Sequence, residues 1–157
     1  MVDSGRFVAL GRVAARDGRS VYKAHDQTLD RVVALKQLID PSEEQRRAWR
    51  AEGQALAALT SPHVVRIFGV HESASEIFLV QEWVEGASVA QLMASGATLS
   101  LAQTLGIIRG AALGLADVHD AGLVHGDVSI SNIMVSAADG ESRLIDFGLA
   151  TPHIAAG

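Results

Sequence analysis

Apolar and polar positions recur along this chain with periods that predict strands first and helices later. Residues 7–24 read as two strands joined by Asp17-Gly18, a dipeptide suited to a tight hairpin. Residues 32–38, VVALKQL, predict a third strand; alternation puts Ala34 and Lys36 on one face, Val33 and Leu35 on the other. A helix is predicted from Glu43 to about Leu59, opened by a capping box of Ser42 and Gln45. Its apolar stripe, Trp49, Leu56 and Leu59, contains an acid, Glu52. Two more strands are expected over residues 64–70 and 77–84, with the polar turn 72–76 between them. A short helix is expected over 88–95. A long one covers 100–121, with Ser100 and Gln103 as a second capping box and Gly122 as its stop. In that helix Leu101, Leu105, Ile108, Leu115 and Val118 fall on one side, and Ile107, Ala111, Ala112 and Leu113 widen the apolar surface. Such a helix asks for neighbours on more than one side. Finally, Ile133–Val135 and Leu144-Ile145 flank an Ala-Asp-Gly turn and predict a hairpin.

Chemistry follows from that last element. Residues just before and just after a tight hairpin sit side by side, so Asn132 and Asp146 are expected together at one end of the ribbon, with Asp127 close by. Three oxygen-bearing side chains suit a hard cation such as Mg²⁺, which takes one or two carboxylates plus phosphate oxygens. Glu52 poses a different problem, because an acid on a buried face is costly unless paired. Lys36 is the expected partner; a place at the stripe's rim, or pairing with Arg50, is the alternative.

Composition narrows the classes. At 157 residues, the length is that of a single domain or two small lobes. Hydrophobic residues make up 48%, and mean hydropathy is +0.22, yet no uninterrupted apolar run approaches the length of a membrane span. The absence of cysteine excludes disulfides, thiolate metal sites and a cysteine nucleophile. A net charge of −5 supplies no basic footprint for nucleic acid. Two lysines stand against eleven arginines, which suggests a GC-rich bacterial gene, and a cytoplasmic protein is the expectation.

The order His125-Gly126-Asp127, Asn132, then Asp146-Phe147-Gly148 resembles the catalytic and magnesium loops of protein kinases. VYKA at 21–24, HDQTLDRVVALK, the SPHVV turn and IFLVQEWVEG are similar to bacterial serine/threonine kinases. The resemblance implies an α+β fold: a small antiparallel-sheet N-lobe with one helix and the hinge over about 1–84, then a partial helical C-lobe over about 85–157. It implies ATP and Mg²⁺, with the γ-phosphate passing to a protein serine or threonine hydroxyl. Asp127 would be the catalytic base, and Asn132 and Asp146 would hold Mg²⁺. Lys36, paired with Glu52, would position the phosphates. Val21 and Ala34 would roof the adenine, and Gln81 would be the gatekeeper. The backbone of Glu82 and Val84 would meet the adenine edge, with Met134 as its floor. His125 and Phe147 would stack.

The same resemblance shows departures. Its glycine-rich loop wants glycines where Ala14, Arg16 and Arg19 stand; Arg16 or Arg19 would touch phosphate or be ordinary exposed charges. The family's arginine before the catalytic aspartate is Gly126, and its lysine two after is Ser129. The chain ends nine residues after Gly148, so the resemblance implies truncation before the activation segment and later helices. That leaves apolar C-lobe surface for a homodimer or partner. Two other classes stay open: a non-catalytic pseudokinase-like ATP-binding or scaffold module, and a small-molecule phosphotransferase of the aminoglycoside-phosphotransferase-like type.

Overall fold

The computed structural model describes residues 5–16, 18–147 and 151–152; Asp17, Gly148 and the side chain of Arg16, all used above, lie outside what is described. The chain divides into two compact units, residues 1–58 with 66–83, and residues 59–65 with 84–157.

The first unit is a five-stranded antiparallel sheet in the order β1-β2-β3-β5-β4 with one helix. The strands are β1 (Phe7–Arg16), β2 (Arg19–Asp26), β3 (Arg31–Ile39), β4 (Ile67–Glu72) and β5 (Glu76–Glu82), and α1 (Glu43–Ala57) follows β3. The expected Ser42–Gln45 capping box forms, with Ser42 N–H donating to Gln45 Oε1 at 2.8 Å. One sheet face closes a core of Phe7, Ala24, Val33, Leu35, Phe78 and Val80. The opposite face carries α1, and a glycine sets how closely. A Cβ on Gly53 would stand 2.4 Å from Val70 Cγ2 and 3.1 Å from Leu79 Cδ1. Two arginines of α1 then tie it to the β4–β5 turn. Arg46, 8% exposed, donates to the carbonyls of Ser73 (3.1 Å) and Ala74 (2.7 Å). Arg50 grips Glu72 through two nitrogens, the longer bond 2.8 Å, and holds that carboxyl below its ordinary range. Arg50 is therefore engaged away from Glu52, contrary to the alternative pairing.

β4 begins three residues later than the apolar run suggests, and the cause is a competing partner. Val65 N–H donates to Leu144 O (2.9 Å) and Leu144 N–H to His63 O (2.8 Å), which draws residues 59–65 into the second unit. That unit holds β6 (Gly86–Ser88), α2 (Val89–Ala94), α3 (Leu101–Asp120), β7 (Leu123–Val124), β8 (Ile133–Ser136), β9 (Ser142–Leu144) and β10 (Thr151–Pro152). The expected hairpin is β8–β9, with β6 added on its β8 side; β7 pairs with β10. Capping boxes open both helices, the one at Ser88 and Gln91 included, and Gly122 (φ +72°) follows α3.

The packing of α3 corrects the predicted apolar stripe. Its buried positions are Ile107, Gly110, Ala111, Gly114 and Val118, while Leu101 is 75% exposed and Leu105 and Ile108 are also exposed. A Cβ on Gly114 would sit 2.6 Å from His63 O, and one on Gly110 2.3 Å from Ser142 Oγ. Backbone contact, not large side chains, selects the inward face. By length and composition α3 is long and apolar enough to cross a membrane, with a mean hydropathy of 1.2, although charged and polar residues interrupt its apolar positions.

Glycine substitutions separate packing from helix propensity. Gly114→Ala should lower stability despite alanine's better propensity, whereas Gly106→Ala, which meets open space in the same helix, should raise it by about 0.5–1 kcal/mol. Chemical denaturation of both variants checks the pair.

Candidate active site

In the first unit, strand register decides which side chains share a face. Val21, Lys36, Leu79 and Val70 form one row across the sheet, and Lys23, Ala34, Gln81 and Ile67 form the next. Paired residues on neighbouring strands project to the same side, so Val21, Ala34, Lys36 and Gln81 lie on one face. It is the face that bears α1, because Gly53 meets Leu79 and Val70. Lys36 is only 8% exposed in its apolar surroundings, and half-buried Glu52 immediately precedes Gly53 on the helix. The acid thus stands one residue from the glycine that packs on the face bearing Lys36. At the end of β5, Glu82 N–H donates to Arg66 O (2.8 Å), a bond within the first unit that involves the amide hydrogen and not the carbonyl of Glu82. Sequence reasoning passed over the neighbour, Trp83, whose ring lies 4.7 Å from Lys23 Nζ.

In the second unit the catalytic loop is built around two residues. His125, 1% exposed, stacks on Phe147 with ring centroids 4.5 Å apart. Its Nε2 lies 3.1 Å from Ile145 O, and Asp127 N–H points at its Nδ1 at 3.3 Å. Those roles assign the neutral ring, with the proton on Nε2. Asn132, 7% exposed, uses its amide hydrogens on Asp127: Nδ2 donates to the main-chain O at 2.8 Å and to Oδ2 at 2.9 Å. Its own N–H closes a turn onto Ser129 O (2.9 Å), and its carbonyl accepts from Ile145 N–H (2.9 Å). The hairpin therefore sets Asn132 opposite Ile145, one residue before Asp146, and the loop brings Asp127 to Asn132. Asp146 adopts φ +55°, a left-handed conformation uncommon outside glycine. Val84 is buried just ahead of β6, and Met134 in β8 pairs with Ser88 of β6.

The donor set fits magnesium. With the Asn132 amide hydrogens turned to Asp127, its Oδ1 is the atom left for a cation, and Asp146 adds a carboxylate. Among the described residues no group of three His, Asp or Glu side chains forms a dedicated metal cage. Few protein ligands beside phosphate oxygens is the arrangement Mg²⁺ takes.

Comparison with known proteins decides the family. The protein kinase domain model matches residues 17–155. The chain belongs to the protein kinase family. It is 34% identical over 152 residues to the probable serine/threonine-protein kinase pknA2 of Bifidobacterium longum, a match covering 93% of this chain and 20% of that protein. It is 36% identical over 156 residues to a probable serine/threonine-protein kinase of Streptomyces coelicolor, covering 93% and 23% respectively. It is 33% identical over 159 residues to the serine/threonine-protein kinase PknL of Mycobacterium tuberculosis, covering 99% and 39%. The chain thus spans about a fifth to two fifths of the length of these relatives.

One departure of this kinase chain has a backbone reason. Gly126, standing where the family pattern has arginine, sits at φ +78°, a conformation that side chains with a Cβ resist. Gly126→Ala and Gly126→Arg should each destabilise the protein by about 1–2 kcal/mol. A thermal melt of both against the parent tests this, and a stabilised Gly126→Arg would contradict it.

Proposed function

We propose that this chain is the nucleotide-binding and catalytic-loop portion of an ATP- and Mg²⁺-dependent protein serine/threonine kinase. The observation that carries the reading is the double hydrogen bond from Asn132 to Asp127. It locks one carboxylate oxygen and leaves the other to receive a proton, which is the requirement for a base acting on a hydroxyl. In the reaction, the serine or threonine oxygen of a protein substrate attacks the γ-phosphorus as the bond to the β–γ bridging oxygen breaks. ADP departs, and Asp127 takes the hydroxyl proton. Lys36, paired with Glu52, would position the α- and β-phosphates, and Val21, Ala34, Gln81, the backbone of Glu82 and Val84, and Met134 would meet the adenine. Asn132 Oδ1 and Asp146 hold Mg²⁺, whose contribution is to neutralise charge on the phosphate oxygens. Positioning and charge neutralisation make up most of what phosphoryl transfer asks of a protein.

The test is transfer of labelled γ-phosphate to a generic protein substrate. Asp127→Asn should lower the rate by about 10²–10⁴-fold and leave ATP binding in place. Transfer at the parent rate would refute the assigned base. A second reading, a non-catalytic ATP-binding module that docks a partner, draws support from the exposed Leu101, Leu105 and Ile108 of α3. Nucleotide binding with no transfer by the parent chain would select it.

A further inference from the structure

The β1–β2 hairpin lacks the glycines whose backbone would close over phosphates, and the structure offers a replacement on the same strand. Arg19 opens β2 opposite Leu38 of β3, two residues before Val21, which is itself opposite Lys36. Side chains two apart on a strand share a face. Arg19 therefore projects from the face that carries Val21, Ala34 and Lys36. Relative to Lys36 it is a diagonal neighbour, a relation that spans about 7–8 Å and lies within reach of long side chains.

Three further observations mark Arg19 as more than an incidental surface charge. It is half-buried although it stands at a hairpin tip, where Arg12 and Gly18 are exposed. Among the described residues no ion pair or hydrogen bond engages its side chain, whereas Arg6, Arg46, Arg50 and Arg143 all bind carboxylates. Its backbone register partner across the hairpin is a second arginine, Arg16, so the turn sequence Arg16-Asp17-Gly18-Arg19 carries two arginines to one acid. A half-buried guanidinium with no acceptor among the described residues, aimed along the face of a buried lysine, calls for an oxyanion.

We propose that Arg19 binds the phosphates of the nucleoside triphosphate together with Lys36, its guanidinium replacing the backbone amides of a glycine-rich loop. A guanidinium presents a planar fork that matches two phosphate oxygens, and lysine adds a point charge beside it. This rests on the kinase reading of the site. It makes Arg19 a phosphate-binding residue and not a determinant of base recognition.

Titration calorimetry of the chain with Mg-ATP and with adenosine tests it, on the parent and on Arg19→Ala, Arg19→Lys and Lys36→Ala. Arg19→Ala should weaken Mg-ATP by about tenfold or more and leave adenosine unchanged, with Arg19→Lys in between. Unchanged or tighter Mg-ATP binding by Arg19→Ala, while Lys36→Ala weakens it, would overturn the role of Arg19 and spare the kinase reading. Parallel loss of ATP and adenosine would overturn it in favour of a structural role. A parent chain that binds neither ligand would sink the kinase reading and this proposal together.

Discussion

Asn132 holds the catalytic loop by a single side chain, and much of the site's order depends on it. Its amide donates to both the main chain and the carboxylate of Asp127, and its own peptide groups bind Ser129 and Ile145. One buried residue thereby joins the loop to the strand that leads to Asp146. A buried amide is stable only when its hydrogen-bonding capacity is met. Asn132 meets it on the donor side with Asp127, and its Oδ1 is the acceptor left over. His125 supplies the complementary constraint from the other end of the loop, through Asp127 N–H, Ile145 O and the ring of Phe147.

Both units bring their helices close by removing side chains. Gly53 lets α1 settle on Val70 and Leu79, and Gly110 and Gly114 let α3 settle on Ser142 and His63. In the first unit this closeness brings the turn of α1 that carries Glu52 up to the sheet face that carries Lys36. In the second it leaves Leu101, Leu105 and Ile108 of α3 exposed, while Ile107 and Val118 face inward. A hollow of about 310 Å³ lies along the α1 contact, lined by Gly53 and Val70, and one of about 440 Å³ lies on another side of α3, lined by Val89, Ile107, Ala111, Ile130 and Ile133.

Much of this was legible in the order of residues. Capping boxes at Ser42 and Ser100, the turn around Gly18 and the alternation in VVALKQL all act locally, and local chemistry can be read from a window of a few residues. The end of the β8–β9 hairpin was legible for the same reason. What escaped depended on distant partners. Nothing near Val64 and Val65 announces that Leu144 will take them from β4. A count of apolar positions cannot show that glycines, with no side chain to count, define the buried side of α3. Gly126 looks like the loss of an arginine until its φ of +78° shows a left-handed conformation that favours glycine. That Arg19 shares a sheet face with Lys36 could not be read locally either, since the two are seventeen positions apart.

The account stands or falls on whether the site formed by these residues takes Mg-ATP. The most direct measurement is the thermal unfolding of the chain with and without Mg-ATP, beside an Asp146→Ala variant. A ligand that binds only the folded state stabilises it by about 2.7 kcal/mol at a hundredfold excess over its dissociation constant. The account predicts a metal-dependent rise in the melting temperature of the parent that is lost in Asp146→Ala. The same melting temperature with and without Mg-ATP, or an equal rise in the variant, would contradict it.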